Sequence, residues 1–355
     1  MAPTAALRPV PLCHRPLLVG YYGEHNLGDD ALLEVLLASL PARCRPTVTA
    51  RDQALLQRRY GVACVDRTSL GAVLAAVGPS DAVIFGGGSL FQDSTSLLSL
   101  VYYAALVVVA RAQGKPVLLW GQGLGPLRRG ASRWLMRGVL PLVSAMSWRD
   151  AASAALARRL GARGEPLVGG DPVWRVEPEE WRGHGGPIVL CFRPTAQLGV
   201  EGWRPWLQAL EQLVPERELL WLPFHAHQDR GLLAALRSQG LIGAALAARS
   251  REVVVQRPRD AMRLCAGSGL VLAMRLHGLI LAAAAGAPVA ALSYDPKVEA
   301  AAAALGCPCT PLDQPAPTDL TTRWRACLDR PADPAVLRRL RDSTAVHDRV
   351  LARLG

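Results

Sequence analysis

Aromatic residues are scarce in this chain: four phenylalanines and six tyrosines among 355 residues, against abundant alanine and leucine. That balance favours helices packed on sheets over an all-β fold. The eight cysteines include no Cys-x-x-Cys pair, and Cys307-Pro-Cys309, the one close spacing, lacks further ligands for a zinc site. They read as small core residues of a reducing compartment. No Gly-Lys-Ser/Thr follows any glycine cluster and no Gly-x-Gly-x-x-Gly occurs, which removes the Walker and dinucleotide fingerprints. Hydrophobic runs are short. Leu97 to Ala110 is apolar but cannot span a bilayer, and prolines break the N-terminal segment where a signal peptide would need an unbroken stretch. No Lys/Arg run and no interleaved aromatic platform is present, which disfavours nucleic acid.

What is present is a hydrophobic half, enough for a large core, and a net charge of +11, nearly all from arginine. Such charge is drawn to phosphates on metabolites, nucleotides or lipid headgroups, although a GC-rich genome also produces Arg- and Ala-rich chains. We expect a cytoplasmic protein whose charge could tie it to the anionic inner face of the plasma membrane, with no metal and no cofactor.

Short apolar runs ending in glycine mark buried parallel strands: Leu17 to Gly20, Ala82 to Phe85 before Gly86-Gly87-Gly88, and Val117 to Trp120 before Gly121-Gln-Gly-Leu-Gly125. Ala31 to Leu40 reads as the helix after the first strand. A polar, Pro/Gly-rich stretch from Glu177 to Pro187 looks like a linker. The pattern then restarts with strands at Ile188–Phe192, Leu219–Pro223, Leu270–Ala273 and Val289–Ser293, and a charged terminal helix over Val336–Leu354. The expected fold is therefore α/β, with two doubly wound halves whose strand-end loops would meet at a cleft.

Those loops carry the candidate residues. Gly86, Gly87, Gly88 and Ser89 could expose backbone N–H groups to an anion, or simply allow tight packing. Gln92 and Asp93 are available to a sugar. Asn26, Asp29 and Asp30 suit helix capping, with Asp29 also placed to orient an acceptor hydroxyl. Arg149, behind a strand-like segment, suits bidentate capture of a carboxylate or phosphate. His225, His227 and Asp229 make a weak metal set, and hydrogen bonding near the cleft by one or both histidines is preferred. Arg275, His277 and Lys297 are polar groups set among apolar segments, where a small anionic ligand is the simplest partner.

In order and spacing these motifs resemble the CsaB type of polysaccharide pyruvyl transferase over nearly the whole chain. They are Gly20-Tyr-Tyr-Gly-Glu-His-Asn-Leu-Gly-Asp29, Gly86-Gly-Gly-Ser-Leu-Phe-Gln-Asp93, Gly121-Gln-Gly-Leu-Gly-Pro126, Ser147-Trp-Arg-Asp150, Gly170-Asp-Pro172, Pro223-Phe-His225, Arg275-Leu-His-Gly278 and Ser293-Tyr-Asp-Pro-Lys297. The resemblance implies a GT-B-like fold with two Rossmann-like domains: residues 1–178 on the acceptor side, 187–330 on the donor side, and a C-terminal helix over 331–355 that could pack back on the first. It implies phosphoenolpyruvate as donor and a lipid-diphosphate-linked saccharide as acceptor, commonly β-linked N-acetylmannosamine of a cell-envelope glycan of the kind that anchors S-layers. The product would be a 4,6-pyruvate ketal, with phosphate released. The family's functional Arg, His and Lys fall on Arg149, His277 and Lys297, with Arg275 in the same motif and Tyr294 in the last.

Two other classes fit part of the pattern. A nucleotide-sugar glycosyltransferase would share the fold and needs a carboxylate for the ribose, for which Glu299 is the candidate. A non-catalytic glycan- or lipid-carrier-binding protein would need no poised His277.

Overall fold

The computed structural model describes residues 13–94 and 96–355. Residues 1–12, most of the proline-broken segment weighed above as a signal peptide, lie outside them. Two compact units are present. One comprises the described residues up to Glu24, Leu32–Pro172 and Asp342–Gly355; the other comprises His25–Ala31 and Val173–Arg341.

The first unit is built on a seven-stranded sheet. Its strands are β1 (Pro16–Tyr22), β2 (Thr47–Ala50), β3 (Ala63–Asp66), β4 (Ala82–Gly86), β5 (Val117–Gln122), β6 (Ala145–Trp148) and β7 (Leu167–Val168), in the order β3-β2-β1-β4-β5-β6-β7. Every pairing is parallel. Leu17, Leu18 and Val19 of β1 and Val83, Ile84 and Phe85 of β4 are all buried, because helices cover both faces of such a sheet and leave no side for alternating polar residues. The order reverses between β1 and β4, the place where open α/β sheets leave a crevice beyond the strand ends.

The second unit repeats the plan with six strands: β8 (Ile188–Cys191), β9 (Leu219–Trp221), β10 (Ser250–Glu252), β11 (Leu270–Ala273), β12 (Val289–Ser293) and β13 (Cys309–Pro311), ordered β10-β9-β8-β11-β12-β13. All are parallel. Leu190, Leu272 and Leu292 form its core with Trp206 and Trp324, whose rings lie 6.5 Å apart. The eight cysteines are free thiols. Burial pushes those of Cys265 and Cys307 up to about 12, so they remain protonated, consistent with a packing role.

Two boundaries differ from the sequence reading. The first helix runs over Leu27–Ser39 rather than from Ala31. Asn26 Oδ1 accepts the Gly28 N–H at 3.0 Å, and Asp29 and Asp30 complement the positive end of the helix, so it starts one turn earlier. The terminal segment is also not one helix. Helix Pro334–Ser343 gives way to a tight 3-10 turn over Thr344–His347, one α-turn at Asp348–Leu351 and a last 3-10 turn at Ala352–Leu354. Polar anchors override its helical periodicity. The buried His347 ring places Nδ1 2.9 Å from Ser147 Oγ and Nε2 2.8 Å from the Gly170 carbonyl, while Gly170 N–H donates to Ser343 Oγ at 3.1 Å.

Gly169 lets the two segments approach, since an added Cβ would lie 2.7 Å from both the Ser343 carbonyl and Val346 Cγ1. Gly169→Ala is therefore expected to cost about 1–3 kcal/mol. Gly138→Ala, where a methyl meets nothing within 4 Å, should instead stabilise by about 0.5 kcal/mol. Urea midpoints of the two variants would separate close approach from a general glycine effect.

Candidate active site

In the second unit, neighbouring strands bring residues from distant parts of the chain to one sheet edge. Arg193 follows β8, His225 follows β9, Arg275 and His277 follow β11, and Tyr294 and Lys297 follow β12. Because every strand is parallel, all four loops lie beyond the carboxyl ends, where ligands bind in α/β sheets.

Asp229 organises this edge. Its fully buried carboxylate accepts the Phe224 and His225 N–H groups at 3.1 and 2.8 Å. Both Nε and Nη2 of Arg275 donate to it, Nε at 3.1 Å. Arg275 Nη2 also donates to Gln228 Oε1 at 3.0 Å. The cation read from sequence as a ligand contact thus has a protein counter-ion and locks the loop after β9 to the one after β11. Burial first, then the Arg275 charge, pushes the His225 imidazole down to about 4, against the pull of Asp229, so this ring is neutral near pH 7.

The segment His25–Ala31 joins this edge. Leu27 N–H donates to the Phe224 carbonyl and Ala226 N–H to that of His25, both at 2.9 Å. His25 adopts a left-handed φ of 53°, and its ring meets His227 edge to face with centroids 5.4 Å apart. His277 sits in the first turn of helix Leu276–Ala284 with its ring packed on Gly28, where any added Cβ would overlap Nδ1. The structure therefore gathers Asn26, Asp29, His225 and His277. Asn26 Nδ2 donates to Asp29 Oδ2, so both side chains serve the helix start.

Lys297 remains partly exposed at 29%, its Nζ 3.8 Å from Asp295 Oδ2 at the start of helix Pro296–Leu305. Tyr294 Oη accepts from Arg193 Nη1 at 3.0 Å, and the guanidinium lies 4.9 Å above the ring. Arg193 was not singled out from sequence. The available signal was a cation just behind an apolar strand that proves to be central in its sheet. Glu299, the carboxylate a nucleotide-sugar enzyme would use, accepts the Ser293 hydroxyl at 2.9 Å.

In the first unit Arg149 follows β6, buried, with Nη2 donating to Ser89 Oγ at 2.7 Å and Nη1 to Asp171 Oδ2 at 3.3 Å. An added Cβ on Gly123 would fall 2.8 Å from its Nε, so that glycine makes room for the guanidinium. The glycine run does not open a helix, as the next begins at Leu97 with Ser96 as its cap. Gly86 and Gly87 are packed against Tyr22, Leu36 and Leu32, and Gly87 N–H donates to the Trp120 carbonyl at 2.8 Å. Gly88 takes a φ of 73°. Gln92 Oε1 accepts from Ser94. Asp93 is buried and accepts the Arg128 and Arg129 N–H groups at 2.9 and 2.8 Å. Burial opposes its charge, but those bonds outweigh it and hold the carboxyl below its ordinary range. Among the described residues, no group of three His, Cys, Asp or Glu side chains is placed to hold a metal.

The model of the polysaccharide pyruvyl transferase family matches residues 26–296. The chain belongs to that family. No curated protein is similar enough in sequence to serve as a relative. Solved structures confirm the fold of this family member. It is similar to a putative UDP-N-acetylglucosamine 2-epimerase from Listeria monocytogenes, at 14% identity and TM-score 0.61 over 95% of each chain. Anabaena HepE, solved with UDP and glucose, is similar at 15% identity and TM-score 0.56 over 96% of each. Sucrose-phosphate synthase from Thermosynechococcus elongatus matches at 12% identity and TM-score 0.55, over 95% of this chain and 94% of that one. At these identities the likeness establishes the fold class of this pyruvyl transferase family member: α/β, two Rossmann-like domains, GT-B-like.

Two outcomes follow. Asp229→Asn leaves the Arg275 guanidinium without its counter-ion and should cost about 3 kcal/mol in urea unfolding. The His225 value of about 4 lies below the ordinary 6.5, so the unfolded chain binds the proton more tightly. The stability that the neutral ring contributes is complete above pH 6.5 and is lost as pH falls towards 4. Unfolding measured across that window should show a shallower decline in His225→Gln than in the parent.

Proposed function

We propose that the chain is a pyruvyl transferase of the CsaB type, moving the enolpyruvyl group of phosphoenolpyruvate onto a lipid-diphosphate-linked sugar, β-N-acetylmannosamine being the favoured acceptor. The product is a 4,6-pyruvate ketal on a cell-envelope glycan precursor. No cofactor is invoked; phosphoenolpyruvate is the donor substrate. Support comes from family membership together with one arrangement, the convergence of Arg193, His277, Tyr294 and Lys297 on the carboxyl edge of the second sheet. Two cations on the loops that flank the one carrying an imidazole suit a small substrate with a carboxylate and a phosphate.

Protonation of C3 of phosphoenolpyruvate leaves a cationic C2, which one sugar hydroxyl attacks. The second hydroxyl then attacks C2 as the C2–O bond to phosphate breaks. Of the two hydroxyl protons, one balances that gained by C3 and the other leaves with phosphate, so neither water nor redox partner is consumed. His277 is assigned the proton transfer, as acid to C3 or as base to the first hydroxyl. Lys297 and Arg193 are assigned to the donor anion and to the charge on departing phosphate. Arg149, braced by Asp171 and Ser89, is an assigned anion contact of the first unit.

Phosphate release from phosphoenolpyruvate with β-N-acetylmannosamine lipid-diphosphate mimics tests this. His277→Ala and His277→Gln should each lower kcat by about 100-fold or more, and near-parental turnover in both would remove His277 from the mechanism. Arg193→Ala should raise KM for phosphoenolpyruvate by about tenfold. Consumption of a nucleotide sugar without phosphoenolpyruvate turnover would transfer the chain to the glycosyltransferase reading.

A further inference from the structure

Between Asp93 and Asp150 the sequence contains no aspartate or glutamate, while Arg111, Lys115, Arg128, Arg129, Arg133 and Arg137 fall inside that interval. The structure sorts this stretch into a core side and an outer side. In helix Gly130–Val139, Ser132, Met136 and Val139 turn inward, and Arg133, Trp134 and Arg137 are exposed. Trp134 is 75% exposed. It stands apart from the other eight tryptophans, all of which are buried or half-buried. One exposed apolar side chain is ordinary, whereas several gathered on one surface are not.

The neighbouring helix Leu97–Ala112 packs against this one. Its outer face carries Leu98 at 79% exposure, Val101 at 45% and Val108 at 47%. With Ala105 half-buried between them, these positions recur at intervals of three and four, so they form a single ridge. No charged residue interrupts that helix before Arg111. The cationic end is held rigidly: the buried Asp93 carboxylate accepts the Arg128 and Arg129 N–H groups, fixing the turn that leads into helix Gly130–Val139 while both side chains stay exposed.

We infer that this face of the first unit docks on an anionic lipid leaflet, with Trp134 at the headgroup boundary and the Leu98–Val101–Val108 ridge against the acyl region. Tryptophan favours the membrane–water interface because its ring is apolar and its N–H polar. Arginines around it complement anionic headgroups, and aliphatic side chains contribute buried area, the two terms that hold an interfacial helix. A second copy of the chain is a poorer occupant, since two-fold pairing through this face sets arginines against arginines. No helix of the described residues is long and apolar enough to cross a membrane, and the docking inferred is peripheral. This inference uses nothing from the transferase assignment and stands or falls separately.

Co-sedimentation of the full chain with vesicles of phosphatidylcholine, with and without phosphatidylglycerol, is the test. The parent should bind only the anionic vesicles and be released by salt. Arg137→Gln should weaken binding by about fivefold. Trp134→Ser, or Leu98→Ser with Val101→Ser, should weaken it by about tenfold. All these side chains are exposed, so melting temperature should be unchanged. Absence of parental binding, equal binding to phosphatidylcholine alone, or variants that bind like the parent would overturn the inference. So would a lipid-free self-association, seen in sedimentation velocity, that Trp134→Ser abolishes.

Discussion

A buried carboxylate holds the second unit's functional edge in place. The Asp229 side chain has no solvent exposure, and an isolated charge in that setting would be expelled or neutralised. It is retained because two backbone N–H groups and a two-point guanidinium contact converge on it. The bonds come from loops that follow two strands, β9 and β11, not adjacent in the sheet. The same loops carry His225 and His277, so the pair that satisfies Asp229 also fixes where both imidazoles sit. Removal of either partner would disturb geometry well beyond the pair itself.

The first unit solves a similar problem at the end of β6. Arg149 is buried against Asp171 and Ser89, with Gly123 left bare to admit it. His347 bridges the strand-end region to the terminal segment through Ser147 and Gly170. In both units a polar group on one loop is positioned by a partner on another, and glycine supplies the clearance. Such bracing fixes a side chain before any ligand arrives, which reduces the ordering cost of binding.

The positive charge serves distinct ends. Arg249 donates to carbonyls of Leu210, Val214 and Arg217 and so closes the end of a helix, while Arg217 pairs with Asp329. Arg149 and Arg275 are matched to buried carboxylates. In helix Gly130–Val139, Arg133 donates to the Leu127 and Arg128 carbonyls, while Arg137 faces solvent on the side of an exposed tryptophan. One net charge therefore combines structural donors, site cations and an outward patch, and its total does not distinguish them.

From the sequence alone came the strand pattern, the α/β class and the family. Apolar runs such as Leu17–Val19, Val83–Phe85 and Leu270–Ala273 read clearly because strands covered on both faces need uninterrupted apolar residues. Edge strands such as β3 and β7 were missed, being short and without such runs. The motif residues His277, Lys297, Tyr294 and Arg149 were likewise visible as polar groups behind those runs. Tertiary structure alone decided which charges are satisfied within the protein. Arg275 belongs to Asp229, Asp93 belongs to the turn before helix Gly130–Val139, and Gly86 and Gly87 give way to Tyr22, Leu36 and Leu32. It also set His25–Ala31 within the second unit and broke the terminal helix at Ser343. Each of these depends on groups far apart in sequence meeting at hydrogen-bond distance, and local periodicity holds no record of such meetings.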